Sequence, residues 1–144
     1  MKIAVVGLGY VGLSNAVLLA QHNDVIGVDI LQERVDALNV RQSPIIDAEL
    51  SQYLAEKDLN LHASTDLKAS VNGVDYVIIS TPTNYDEKTN FFDTSSVEEV
   101  IALVTECEPS ACIVVKSTVP IGFVDDVRER YKTDAIIFSP EFLR

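Results

Sequence analysis

The chain has 144 residues, enough for one domain with a real hydrophobic core. Its formal net charge of −11 and pI near 4.4 oppose a phosphate backbone, and no Lys/Arg cluster offsets that field, which excludes nucleic acid as the expected partner. No uninterrupted apolar tract reaches the roughly 18 residues that a membrane span requires, so the expectation is a soluble, cytoplasmic protein with no membrane contact.

In chain order, short β-branched apolar runs alternate with longer segments of helical period. The strands read as 2–6, 24–29, 60–63, 75–80, 112–116 and 135–139, and the helices as 11–21, 32–39, 48–56, 66–71, 95–106 and 122–131. Ser95 and Ser96 each have a glutamate three residues on, Glu98 and Glu99, so either can close a capping box on the fifth helix. Alternating strands and helices form βαβ units, because parallel strands need a crossover between them. Six units predict an α/β fold, a doubly wound parallel six-stranded sheet of strand order 3-2-1-4-5-6 with helices on both faces.

The opening stretch KIAVVGLGYVGLSNAVLLA carries Gly7, Gly9 and Gly12 in the pattern G-x-G-x-x-G, where the first strand ends and the first helix begins. The first glycine permits the tight turn, the second lets a pyrophosphate approach the backbone, and the third brings helix against strand. Free N–H groups at the helix start then face the anion. A secretory signal also sets a lysine before an apolar run, but it has no need of glycines at this spacing, and Ser14 and Asn15 interrupt the run. Tyr10 has two readings, turn packing or cofactor contact.

The second strand, VIGVD, ends in Asp29, 20 residues beyond Gly9, the offset at which an acid meets the adenosine ribose hydroxyls. Its carboxylate repels a 2′-phosphate, favouring NAD over NADP. Arg34 has the charge to accommodate such a phosphate, although a solvated helix charge is its simpler role. For Asp29 the simpler role is a cap on the turn after the strand, which the register of the motif disfavours.

Two further stretches fall at carboxyl ends of strands, where open α/β sheets bind ligands. In STPTNYDEKTNFFDTSS, Thr81 and Thr83 flank Pro82, which fixes the backbone where two hydroxyls can meet a ribose or phosphate, unless the segment is an ordinary proline turn. In KSTVP and SPEFLR, Thr118 and Glu141 fall on the same sheet edge, an arrangement in which a hydroxyl and a carboxylate can share one water. Cys107 and Cys112 are too far apart for a CxxC pair and lack companions for zinc, so they read as buried structural thiols in a reducing cytosol. His22 and His62 likewise lack companions, and no metal is expected.

Taken together, the opening stretch, SPIIDAEL, STPTNYDEKTNFFDTSSVEEV, KSTVP and SPEFLR resemble the amino-terminal NAD-binding domain of the UDP-glucose/GDP-mannose dehydrogenase family. The resemblance covers residues 1–144 and only the opening part of a typical family member, which implies a domain excised from a longer, homodimeric protein whose central helix and substrate domain lie elsewhere. Within the family it is nearest the branch acting on UDP-glucose, and that branch implies two successive oxidations at sugar C6, each passing a hydride to NAD. A cysteine traps the aldehyde, and water finally releases UDP-glucuronate. By the same resemblance, Gly7, Gly9, Tyr10, Val11 and Gly12 line the pyrophosphate, Asp29 and Arg34 lie beside the adenosine, and Thr83 and Thr118 contact the cofactor. Thr118 also helps position the hydrolytic water, Glu141 orients or deprotonates it, and the backbone of Glu141, Phe142, Leu143 and Arg144 meets the sugar nucleotide.

The family's nucleophilic cysteine belongs to a glycine-rich Cys-x-x-x-Asp segment that neither cysteine here matches, and Lys116 is not the equivalent of its catalytic lysine. The chain alone is therefore expected to bind NAD weakly and not to turn over. Two alternatives stand beside this reading. One is a non-catalytic NAD(H)-sensing regulatory module, which has no evident use for Thr118 and Glu141 or for the long 83–93 loop. The other is a family member acting on GDP-mannose or UDP-N-acetylmannosamine.

Overall fold

A computed structural model describes residues 1–88 and 91–141. The elements run β1 (Lys2–Val6), α1 (Tyr10–Ala20), β2 (Asp24–Val28), α2 (Gln32–Asn39), α3 (Ala48–Glu56), β3 (Leu61–Ser64) and α4 (Leu67–Ser70). They continue with β4 (Tyr76–Ile79), β5 (Asn84–Asp86), β6 (Phe91–Asp93), α5 (Ser95–Cys107), β7 (Cys112–Val115), α6 (Phe123–Tyr131) and β8 (Ile136–Phe138). Six strands form one sheet in the order β3-β2-β1-β4-β7-β8, and every pairing in it is parallel. This is the expected doubly wound sheet, with the chain reversing direction of travel between β1 and β4.

Strand β1 shows why the sheet is covered on both sides. Ala4 and Val6 join one core with Val77 and Ile79 of β4, Ile101 of α5 and Val127 of α6. Ile3 and Val5 join the other with Leu13 and Val17 of α1, Leu38 of α2 and Leu54 of α3. Alternate side chains of one strand thus feed opposite cores, which is why the central strands are apolar throughout instead of alternating with polar residues.

The sequence reading differs from the structure in three places. The 83–93 stretch is not a plain loop, because β5 and β6 pair antiparallel in a separate ribbon. Its residues are too few and too exposed to show a period; Tyr85 against Phe92, with ring centroids 5.6 Å apart, supplies its packing. Neither capping box forms on α5: its cap is Thr94, whose carbonyl accepts from the N–H groups of Val97 and Glu98. Ser95 is drawn back to Asp93 and Ser96 across to Pro82, so neither serine is free to cap. The cysteines are free but only half-buried.

Candidate functional site

The glycine turn, Asp29, the 81–83 stretch, KSTVP and Glu141 lie at the carboxyl ends of β1, β2, β4, β7 and β8, while SPIIDAEL lies apart, between α2 and the first turn of α3. At the end of β1, Gly7 adopts φ +92°, a conformation that favours glycine, and a Cβ there would lie 2.7 Å from the Ser80 carbonyl oxygen. A Cβ on Gly12 would lie 1.7 Å from the Gly7 carbonyl oxygen, so α1 can approach β1 this closely only without a side chain. Gly9 is different. Its backbone is extended, at φ −76° and ψ −167°, and a Cβ there would meet nothing within 4 Å. The fold makes no demand for glycine at this position, and the space above it is open.

That open space faces the start of α1. The Leu13 N–H donates to the Gly9 carbonyl at 2.9 Å, so the N–H groups of Tyr10, Val11 and Gly12 precede the first turn's closing bond and have no partner within the helix. No acidic side chain occupies that first turn. Partial positive charge at a helix start, open space and bare backbone together suit an anion such as a pyrophosphate. Tyr10 is 54 % exposed, so its ring is not buried in the turn.

Asp29, immediately after β2, is buried, and its carboxylate has three partners. Oδ2 accepts from the Leu8 N–H at 2.8 Å and from Arg34 Nη1 at 3.1 Å, and Oδ1 accepts from the Leu31 N–H at 3.0 Å. The Leu31 bond is the cap on the following turn, so the simpler role for Asp29 is present. The Leu8 bond adds something that the sequence did not disclose, a direct tie from the end of β2 into the glycine turn. A carboxylate has about four acceptor sites, so one remains for a ribose hydroxyl. Arg34 is paired with Asp29 rather than lying free in solvent.

The loop leaving β4 is stitched to its neighbours by hydroxyls. Ser117 Oγ donates to the Thr81 carbonyl at 2.6 Å and Thr83 Oγ1 to the Thr118 carbonyl at 2.7 Å. Ser96 Oγ lies 3.0 Å from Thr81 Oγ1 and 2.9 Å from the Pro82 carbonyl oxygen. The Thr81 backbone in turn borders the glycine turn, with its nitrogen 2.9 Å from the Cβ position of Gly7. Ser80 Oγ is buried beneath the same turn with no hydrogen-bond partner among the described residues.

Glu141 lies just past β8. Its Oε2 accepts from Asn15 Nδ2 of α1 at 2.9 Å and sits 3.6 Å from Lys116 Nζ. The Asn15 amide also donates to the Val11 carbonyl at 2.8 Å, which fixes its orientation. Among the described residues Thr118 is not a partner of Glu141; its side chain is exposed and its carbonyl is held by Thr83. Phe142, Leu143 and Arg144, the other expected substrate contacts, lie outside the described residues. Ser96, Ser117, Asn15 and Lys116 are the neighbours that sequence reasoning missed. All four stood inside stretches it had singled out, but none had been given these partners.

The cysteines lie at the opposite end of the sheet. Cys112 opens β7 in register with Tyr76 at the start of β4, and Cys107 ends α5 just before that strand.

Comparison with known proteins agrees with this geometry. The family model described as the UDP-glucose/GDP-mannose dehydrogenase family, NAD binding domain, matches residues 1–144. The UDP-glucose 6-dehydrogenase of Streptococcus pneumoniae is 54% identical over 144 residues, which are all of this chain and 36% of that protein. Its counterpart in Campylobacter jejuni is 39% identical over 146 residues, again all of this chain and 37% of that protein. Among solved structures, the UDP-D-ManNAc dehydrogenase from Pyrococcus horikoshii superposes with a TM-score of 0.86 at 26% identity, over the whole of this chain and 37% of its own. The chain thus spans little more than a third of the length of the relatives it matches. A glycine turn with open space above Gly9, an acid tied to that turn and this family match converge: the chain belongs to the UDP-glucose/GDP-mannose dehydrogenase family, as its NAD binding domain.

Proposed function

We propose that this chain is the cofactor-holding part of a UDP-glucose 6-dehydrogenase, a cytoplasmic enzyme that oxidises UDP-glucose to UDP-glucuronate with two NAD. The observation that carries the reading is Gly9, a glycine that the fold does not need, placed where a pyrophosphate would meet the first N–H groups of α1. The relatives from Streptococcus pneumoniae and Campylobacter jejuni, both UDP-glucose 6-dehydrogenases, are 54% and 39% identical to the chain, against 35% and 34% for a UDP-N-acetyl-D-mannosamine and a GDP-mannose dehydrogenase, which favours UDP-glucose over the other sugar nucleotides of the family.

In this reading a bound NAD would supply the acceptor for the hydride of sugar C6, and the chain's own residues bind and orient. Gly7, Gly9, Tyr10, Val11 and Gly12 receive the pyrophosphate, and Asp29 takes the adenosine ribose while Arg34 holds its carboxylate in place. Thr81, Thr83 and Thr118 meet the nicotinamide half. Glu141, with Oε2 held by Asn15 and Lys116, keeps Oε1 available to orient the hydrolytic water or take its proton. The sugar nucleotide passes along Glu141, Phe142, Leu143 and Arg144. Neither Cys107 nor Cys112 is near this edge, so the 144 residues alone lack a thiol nucleophile.

Calorimetric titration with NAD and NADP tests the cofactor assignment. Selective NAD binding that Asp29→Ala abolishes supports it, and failure to bind either dinucleotide overturns it. For the reaction, a protein of the relatives' full length carrying this domain should form NADH only when UDP-glucose is added, while the 144-residue chain gives no signal. A sensing module would bind NAD(H) and give no NADH at any length.

A further inference from the structure

A hydroxyl has one proton to give and two lone pairs with which to accept. At the carboxyl edge of the sheet, the protons of two threonines are already committed. Thr83 Oγ1 lies 2.7 Å from the Thr118 carbonyl oxygen, and a carbonyl only accepts, so the Thr83 proton points at Thr118. Ser96 Oγ lies 2.9 Å from the Pro82 carbonyl oxygen and 3.0 Å from Thr81 Oγ1, and its single proton serves one of them. Giving it to Thr81 would set the lone pairs of Ser96 and Pro82 against each other at 2.9 Å. Giving it to the carbonyl satisfies both contacts, because Thr81 then donates to Ser96.

We propose that Ser96 is a positioning residue that fixes the hydrogen-bond polarity of the 81–83 arch. Thr81 and Thr83 then both face a ligand with lone pairs alone. These two hydroxyls take a hydrogen-bond donor, either a sugar hydroxyl or a carboxamide N–H₂, and have no proton left for a phosphate oxygen. This rests on the reading that a dinucleotide lies along this edge, and it sharpens that reading. The glycine turn offers the N–H groups of Tyr10, Val11 and Gly12, donors with no partner within α1, while the two threonine hydroxyls of the arch beside it offer lone pairs. Adjacent surfaces of opposite polarity suit a pyrophosphate followed by a sugar, in that order. The sequence allowed either a ribose or a phosphate at Thr81 and Thr83; the bonding partners select the first.

The test titrates the 144-residue chain with ADP, ADP-ribose and NAD, as wild type and as Ser96→Ala, Ser96→Thr, Thr81→Val and the Ser96→Ala/Thr81→Val double variant. Ser96→Ala and Thr81→Val should each weaken binding roughly three- to tenfold, the span of one hydrogen bond, for ligands that reach the arch, and leave ADP unchanged. The double variant should be no worse than Thr81→Val alone, since Ser96 acts on the ligand only through the Thr81 hydroxyl, and Ser96→Thr should bind as wild type does. A loss that begins with ADP-ribose identifies the donor as the second sugar's hydroxyl; one confined to NAD identifies the carboxamide. An equal loss for ADP, additive effects in the double variant, or no loss in Ser96→Ala overturns the inference alone. A wild-type chain that binds none of the three ligands overturns the dinucleotide reading together with it.

Discussion

The Thr83 hydroxyl donates to the Thr118 carbonyl at 2.7 Å, joining the loop that leaves β4 to the loop that leaves β7. The neighbouring bond from Ser117 to the Thr81 carbonyl makes the same connection from the other side, with the Ser117 side chain buried. Ser117→Ala leaves that carbonyl without its partner and should cost about 1–2 kcal/mol of stability. Urea denaturation checks this: the midpoint should fall while the slope stays unchanged.

Two of the motif glycines, Gly9 and Gly12, should separate by effect. Gly12→Ala places a Cβ 1.7 Å from the Gly7 carbonyl oxygen and must push α1 away from β1, so the protein should lose several kcal/mol, on the order of an overpacked core, or fail to fold. Gly9→Ala meets open space in a backbone that alanine adopts freely, and should fold at least as stably as wild type. It should nonetheless lose NAD binding. Thermal melts paired with NAD titration of the two variants distinguish a glycine kept for the fold from one kept for the ligand.

Asp29 serves both ends. Asp29→Ala removes the acceptor of the buried Leu8 N–H as well as the proposed ribose contact, so stability should fall by roughly 1.5–3 kcal/mol, the range for hydrogen bonds to charged groups. Asp29→Asn keeps an oxygen for the Leu8 N–H and should recover most of that stability, but it removes the charge opposite Arg34. Denaturation in the absence of ligand reads the first effect.

Asp93, the last residue of β6, accepts from both the hydroxyl and the N–H of Ser95, the hydroxyl contributing more, and its carboxyl is held below the ordinary value of 3.8. Because the folded value is the lower one, the associated stability is fully present above the ordinary carboxylate range and is lost as pH falls through the folded value. Carboxyl NMR titration should find Asp93 among the last acids to protonate. Ser95→Ala should bring it back toward its ordinary range.

Much of this fold was legible because burial on both faces leaves a plain mark. KIAVV and VIGVD are apolar regardless of side, and a parallel sheet is the arrangement that needs that. The ribbon of β5 and β6 left no such mark, since its described side chains are mostly exposed and each strand has three residues. At the site, the glycine spacing and Asp29 could be read because the dinucleotide-binding pattern has a fixed separation in sequence. Asn15 could not. In the sequence it only interrupts an apolar helix, and its partner Glu141 stands 126 residues away, a pairing that exists only once the sheet has brought α1 and the end of β8 to one edge. Ser96 was misread for a related reason: a local pattern suggested a cap, and the tertiary partners Thr81 and Pro82 claimed the hydroxyl.

The bond from Leu8 to Asp29, with the Gly7 N–H donating to the Val28 carbonyl at 2.8 Å, means that the glycine turn is anchored at two successive residues before any ligand arrives. A loop that must become ordered on binding spends part of its interaction energy on its own entropy, whereas a turn already fixed delivers its amide groups at full strength. Recognition at this end of the molecule is therefore closer to a rigid socket than to a closing hand. The slow-exchanging amide of Leu8 in the free protein, rather than any movement on binding, would be its signature.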